Sequence, residues 1–178
     1  PKNIRVIADK VDSRRFYAVD AVAEILYSSE DGGMTFHADT LNLTVKGSNA
    51  VMLVLPYEEE IAGGQDRIYA TPGREKDLWI AAYDGLYCSA ASEKFDFRVL
   101  DKVRTIYTFG FGKAKPGNDY PAIYLMRNQW QYGFFHFDDA ANSWVRINDD
   151  AHQYGLVLHI CGDMQEYGRG IVMGVPAS

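Results

Sequence analysis

Ser29-Glu30-Asp31-Gly32-Gly33-Met34-Thr35-Phe36 is the stretch on which the fold turns. It matches the pattern S-x-D-x-G-x-T-[FW] at every position and follows the apolar run Ile25-Leu26-Tyr27. Paired glycines after a short apolar run argue for a hairpin rather than a helix end. A hairpin this tight needs a residue that tolerates positive φ, and Gly33 supplies it. Asp31 is placed to accept hydrogen bonds from N–H groups of its own turn, donors that no neighbouring strand reaches. The hydroxyls of Ser29 and Thr35 flank the loop and can cap it. Phe36 is expected to bury its ring beneath the hairpin, worth about 1.5–3 kcal/mol. The motif is an Asp-box. A carboxylate bonded to its own loop has no freedom to act as an acid or base, so Asp31 reads as structural.

The pattern recurs. In the first copy Phe16-Tyr17-Ala18-Val19 leads to Ile25-Leu26-Tyr27 and then to the box. In the second, Leu78-Trp79-Ile80-Ala81 leads to Gly85-Leu86-Tyr87 and a degenerate hairpin that keeps Ser89 and Phe97 but has no aligned aspartate. In the third, Ala122-Ile123-Tyr124-Leu125 leads to Gly133-Phe134-Phe135. Its hairpin keeps Asp139, Ser143 and Trp144 but has Phe137 for the serine and Ala141 for the glycine. The closing aromatics Phe36, Phe97 and Trp144 stand 61 and 47 residues apart. Propeller blades of four strands occupy about 40–50 residues, and loop insertions explain a longer interval. Further strand candidates are Thr44-Val45, Val51–Leu55, Phe97–Leu100, Thr105–Phe109 and Val157–Ile160. No segment has a helical period of useful length. The expected fold is all-β: a partial β-propeller over 1–178, with about three to four four-stranded antiparallel sheets. Its blades fall roughly at 8–60, 61–110 and 111–174, as part of a seven-bladed ring.

Composition agrees with an all-β reading and narrows the partners. Aromatic residues make up 13% of the 178 residues, with 12 Tyr, 9 Phe and 3 Trp. The net charge is -6 and the 18 Lys and Arg are scattered. A phosphate-backbone binder needs clustered cations, so nucleic acid is excluded as a partner. No apolar run approaches the length of a membrane span. The chain starts at Pro1, which fits a processed or excised segment. Cys88 and Cys161 have no metal-ligand spacing and read as two unpaired core cysteines, with one disulfide as the alternative. His37, His136 and His159 stand in unrelated contexts that imply no metal triad, and no cofactor is expected. Gly110-Phe111-Gly112-Lys113 lacks the spacing of a phosphate loop. Asn42-Leu43-Thr44 is a glycosylation sequon, consistent with a secreted protein.

Several segments together resemble the C-terminal part of the glycoside hydrolase family 74 xyloglucanases, including the oligoxyloglucan reducing-end-specific enzymes. They are Thr71–Trp79, Tyr107–Gly117, Tyr120–Tyr124, Arg146–Gly155 and Gly168–Ile171. The F-G-F-G-K and I-N-D-D-x-H-Q-Y-G stretches within them are the most specific. The resemblance spans most of the chain, from about residue 8 to about residue 174. It implies two seven-bladed propellers facing a cleft, inverting hydrolysis of the β-1,4-glucan backbone of xyloglucan, and two aspartates as acid and base. This chain matches only the last three or so blades of the second propeller, where neither catalytic aspartate has a counterpart. Between Gly162-Asp163 and Gly168-Arg169-Gly170 it is shorter than the family pattern.

An inverting glycosidase needs two carboxyl groups about 6.5–9.5 Å apart. Asp149-Asp150 is the tempting pair, but neighbours on a strand point to opposite faces, so they read as a solvated turn. No catalytic residue is assigned, and the chain alone is expected to be inactive. Sugar C–H faces stack on exposed rings, and amides bond hydroxyls. On that ground Gln129, Trp130 and Tyr132, in a polar-aromatic loop between two strands, form the best glycan platform. Loop packing is the alternative. His152, Gln153 and Tyr154 suit a cleft or domain junction, with a structural histidine as the alternative. Tyr83 could face a ligand, or scaffold a turn. The implied partners are xyloglucan or a related β-glucan oligosaccharide, and the remaining blades or a partner propeller. Two other readings stay open: a non-catalytic glycan-binding or structural module, and a sialidase-like or sortilin-like Asp-box protein. No recognisable arginine cluster supports a sialidase.

Overall fold

A computed structural model describes residues 4–20, 23–41, 68–81, 85–89, 95–100, 106–128, 132–137, 144–149, 151 and 157–174. These hold fourteen strands: β1 (Val6–Ala8), β2 (Phe16–Asp20), β3 (Ile25–Ser29), β4 (His37–Thr40), β5 (Ile68–Ala70), β6 (Leu78–Ala81) and β7 (Leu86–Ser89). There follow β8 (Arg98–Leu100), β9 (Ile106–Gly112), β10 (Ala122–Asn128), β11 (Tyr132–Phe137), β12 (Trp144–Arg146), β13 (Val157–Gly162) and β14 (Gly170–Gly174). They form three four-stranded sheets, β1–β4, β5–β8 and β9–β12, and a two-stranded sheet, β13–β14. Every pairing is antiparallel and joins strands consecutive in the chain. That meandering order is the order of a propeller blade. The fold is all-β and built of such blades.

The chain divides into two compact units, Pro1–Lys102 and Val103–Ser178. Sheets begin at Val6, Ile68, Ile106 and Val157, so the expected break between 110 and 111 falls inside β9. The strand candidates Thr44-Val45 and Val51–Leu55 lie outside the described residues. The third copy of the repeat also shifts by one residue. Ala18 pairs with Tyr27 and Ile80 with Tyr87, but in the third sheet it is Leu125 that pairs with Phe135. Tyr124 therefore corresponds to Tyr17 and Trp79.

In the first unit two sheets share one core. Tyr17 and Leu26 from the first pack with Ile68, Leu78, Ile80 and Tyr87 from the second. Residues two apart on a strand share a face, which places Tyr17 and Val19 on one side of β2 and Leu78 and Ile80 on one side of β6. In the second unit Tyr124, Met126 and Phe134 pack with Ile160 of β13. Here β13 lies directly on β9. A Cβ on Gly110 would stand 2.2 Å from the Ile160 carbonyl oxygen, and one on Gly162 would stand 2.5 Å from Gly112 Cα. This accounts for the F-G-F-G-K stretch. Its glycines occupy one face of β9, where only hydrogen leaves room for another backbone. Phe109 and Phe111 share the other face, edge to face at 5.1 Å.

Three sheets share a turn between their first two strands. Asp9 N donates to Arg15 O at 3.0 Å, Thr71 N to Asp77 O at 2.9 Å, and Asp163 N to Arg169 O at 2.7 Å. The separation is six residues in each, and this stitch gives a common point from which the three sheets can be matched residue by residue.

Candidate functional site

The box hairpin joins β3 to β4. Asp31 Oδ1 accepts from Ser29 Oγ (2.8 Å) and Thr35 N (2.9 Å), and Oδ2 accepts from Thr35 Oγ1 at 2.5 Å. Ser29 Oγ in turn accepts from Gly33 N at 2.9 Å. Gly32 and Gly33 both have positive φ, 80° and 86°. The Thr35 hydroxyl, Thr35 N–H and Ser29 hydroxyl hold the Asp31 carboxyl down at about 2. A carboxylate so fixed is a poor proton carrier at neutral pH.

The aromatic plugs differ from the expectation. Phe36 is 40% exposed, and the whole of β4 beside it is exposed. Its ring is therefore not a buried anchor, because β4 is an outer strand that little covers. Phe97 is half-buried against the core of the first unit. Trp144 lies 4.3 Å from the buried Phe137 ring. The three rings share a topological place, at or just before the fourth strand, but not a degree of burial. Asp139 and Ser143 lie outside the described residues.

A second carboxylate knot escaped the sequence reading. Asp9 is 6% exposed. Its Oδ1 accepts from Val11 N (2.7 Å) and Asp12 N (3.0 Å). Its Oδ2 accepts from the Tyr17 hydroxyl (2.9 Å) and from Lys76 N (3.0 Å) in the next sheet. Burial alone would raise its pKa. The Lys76, Val11 and Asp12 N–H groups and the Tyr17 hydroxyl outweigh that and hold it below the ordinary carboxylate range. Burial, with the bond to Asp9, pushes the Tyr17 hydroxyl far up. Lys76 adopts φ 59°, unusual for a residue with a side chain, which turns its N–H to Asp9. Arg15 crosses the same seam, pairing with Glu30 in its own sheet and with Glu75 at 3.0 Å in the next. The available signal was the six-residue spacing of Asp9 and Arg15, repeated at Asp163 and Arg169.

Most of the expected glycan contacts lie outside the described residues: Tyr83, Gln129, Trp130, His152, Gln153 and Tyr154. Tyr132 opens β11 and pairs with Asn128 at the end of β10. Asn128 and Tyr132, expected in the loop, are thus paired strand residues, because the β10–β11 ladder reaches them. Asp149 lies past the end of β12, where its Oδ1 accepts from Ala151 N at 3.0 Å. It sits in a turn rather than on a strand, and Asp150 is outside the described residues. Asp77 accepts from Thr71 Oγ1 at 2.6 Å, and Asp163 Oδ1 from Gln165 N at 2.7 Å. Asp9, Asp31, Asp77, Asp149 and Asp163 are thus all tied to nearby turns.

Unit two adds an aromatic row. The Tyr124 and His136 rings stack at 4.7 Å, and Tyr167 lies 5.5 Å from His136. Cys88 and Cys161 are both free thiols, and Cys161 is exposed rather than in the core. Among the described residues no group of three His, Cys, Asp or Glu could hold a metal ion, and no helix is long and apolar enough to cross a membrane.

No family model matches the chain. The xyloglucanase Xgh74A of Acetivibrio thermocellus is 38% identical over 97% of this chain, which spans 20% of that protein. A xyloglucanase of a Paenibacillus species is 36% identical over 95% of this chain and 15% of its own length. The crystal structure of the Niastella koreensis GH74 enzyme superposes with a TM-score of 0.75 at 29% identity, over 97% of this chain and 23% of that one. The chain thus spans about a fifth of the length of these relatives. Along nearly its whole length it is homologous to a segment of the glycoside hydrolase family 74 xyloglucanases.

Proposed function

We propose that this chain is the C-terminal propeller portion of a secreted, inverting xyloglucan hydrolase, and that it supplies substrate-cleft surface rather than the catalytic pair. The observation that carries this reading is the 38% identity to a xyloglucanase over nearly the whole chain. The carboxylates support the second half. Asp9 and Asp31 are held in their charged forms by local donors. An inverting enzyme needs one carboxyl group with a raised pKa facing a second, ionised one. The glycan would meet the loop at 129–131 and Tyr132, its sugar faces on Trp130 and its hydroxyls on Gln129. His152, Gln153, Tyr154 and Tyr83 would extend the surface.

The test is hydrolysis of tamarind-type xyloglucan by the purified chain, with oligosaccharide binding followed by calorimetry. The expected result is no turnover and measurable binding, weakened at least tenfold by Trp130→Ala. Release of xyloglucan oligosaccharides by the chain alone would overturn the missing pair. Binding that Trp130→Ala leaves untouched would move the cleft elsewhere.

A further inference from the structure

The tyrosine that holds the same place in two sheets has an acceptor in one and none in the other. Tyr17 lies opposite Ile7, two residues before Asp9, and donates its hydroxyl proton to the Asp9 carboxylate at 2.9 Å. Its counterpart Tyr124 lies opposite Gly110, two residues before Gly112. Gly112 thus stands where Asp9 would. It has no room for a side chain, because a Cβ there would lie 2.7 Å from both Gly162 Cα and Tyr124 Cε2. Tyr124 is 2% exposed. Burial raises its pKa, and the Gly168 N–H offsets part of the rise. That N–H is a donor and serves only the phenolic oxygen; no described group accepts the hydroxyl proton. A buried donor without an acceptor forfeits its hydrogen bond to water and is rare for that reason.

Gly168 also lines a groove of about 290 Å³, together with Tyr124, Phe134, Ile147, Asn148 and Val172 among others. The His136 ring stacks on Tyr124 at 4.7 Å. Asn148 Oδ1 accepts from Phe134 N at 2.8 Å and from Arg146 Nε at 3.3 Å, so the group Asn148 offers the groove is its NH2 donor. Among the described residues no Asp, Glu, Lys or Arg lines the groove, which favours a neutral occupant. Its volume is small for a ligand site and suits a single ring.

We propose that this groove binds one pyranose ring of a neutral sugar, with a sugar oxygen accepting the Tyr124 hydroxyl proton. The C–H face of the sugar lies on Phe134, Ile147 and Val172, and a second oxygen accepts from the Asn148 amide. A pyranose brings an apolar face and several acceptors in one ring, whereas a phenol brings one oxygen to two donors. Tyr124 and His136 pair with each other four residues from Asn128 and Tyr132, about 13 Å along the strands from the loop at 129–131. The inference therefore stands apart from the cleft-surface reading.

The test titrates the intact, isotope-labelled chain with xylose and with glucose, against sorbitol and phenol, and follows amide shifts. Saturable binding of a pyranose is expected, with shifts centred on Tyr124, Phe134 and Gly168–Gly170. Tyr124→Phe removes only the hydroxyl. It should weaken binding at least tenfold and leave the melting temperature of the sugar-free chain unchanged or higher, where a purely structural hydroxyl would lower it. Val172→Phe, at a position 37% exposed, should fill the groove and abolish binding with the hydroxyl intact. No saturable binding, binding indifferent to both variants, or sorbitol bound as well as the pyranoses would overturn the inference. Phenol bound more tightly than either sugar would overturn it in favour of an aromatic ligand. Binding that Trp130→Ala removes and Tyr124→Phe spares would move the sugar to the loop at 129–131, whereas failure at the groove leaves the cleft-surface reading untouched.

Discussion

The two units join their sheets in different ways. In the first, side chains meet: Tyr17 and Leu26 against Ile80 and Tyr87, with the Asp9 carboxylate bonded to Lys76 N–H across the seam. In the second, Tyr124, Met126 and Phe134 pack on Ile160, and backbones meet as well, with Gly110 and Gly112 of β9 against Ile160 and Gly162 of β13. One strand order therefore tolerates two packing chemistries, and each fails differently. A side-chain seam can shed a methyl group and relax. A backbone seam cannot admit one without moving a strand.

The largest effect should come from breaking the backbone seam. Gly110→Ala places a methyl 2.2 Å from the Ile160 carbonyl oxygen. It should cost about 3 kcal/mol or more in denaturant unfolding, while Gly117→Ala, with open space around it, should cost only its positive-φ strain. Equal losses for the two would mean that β13 does not lie on β9.

The side-chain seam should respond to Asp9→Asn by about 2 kcal/mol. The amide nitrogen is a donor and accepts nothing, so whichever way it turns either Lys76 N–H or the Val11 and Asp12 N–H groups lose their acceptor. The seam carboxylate and the box carboxylate share a pH signature. Asp9 and Asp31 are both held below the ordinary carboxylate value of 3.8, Asp31 at about 2. As pH falls the unfolded chain takes up these protons first. Their stabilisation is thus complete above about pH 4 and drains away towards pH 2. Melting temperatures across that range should fall less steeply for Asp9→Asn than for the parent; parallel curves would remove Asp9 from the account.

The smallest effect contrasts two serines in the same place. Ser29 Oγ bonds Asp31 and Gly33 N–H. Ser89 Oγ is buried with no hydrogen-bond partner among the described residues. Ser29→Ala should destabilise by about 1 kcal/mol, whereas Ser89→Ala should be neutral or slightly stabilising. A loss at Ser89 equal to that at Ser29 would show that the degenerate hairpin supplies a partner of its own.

The sequence made some elements plain and hid others. Strands β2, β3, β6, β7, β10 and β11 were legible because each is an apolar run that carries an aromatic residue and recurs in the same order. The box turn was legible because serine, aspartate, glycine and threonine each have a local partner within four residues. Strands β1 and β5 are three residues long and carry too little periodicity to notice. The Asp9 knot was hidden because its fourth donor is 67 residues away in the chain. Phe36 misled because its place in the motif says nothing about what covers it. The role of Gly110 and Gly112 was missed because two glycines in a strand look alike whether they face solvent or another backbone. For the glycan contacts, an aromatic and an amide in a loop signal adhesion to sugar, but the spacing does not fix which way a ring faces.

The six-residue stitch after the first strand works as a frame marker. Wherever a polypeptide of this kind is read, a short strand, an aspartate or threonine, and its partner six residues on announce that a new sheet has begun. Insertions elsewhere stretch the interval between hairpins, as the uneven 61 and 47 residues show, but they leave this mark intact. Even where box motifs have decayed beyond recognition it would locate sheets of the kind that β1, β5 and β13 open, though not one like β9–β12, which lacks it.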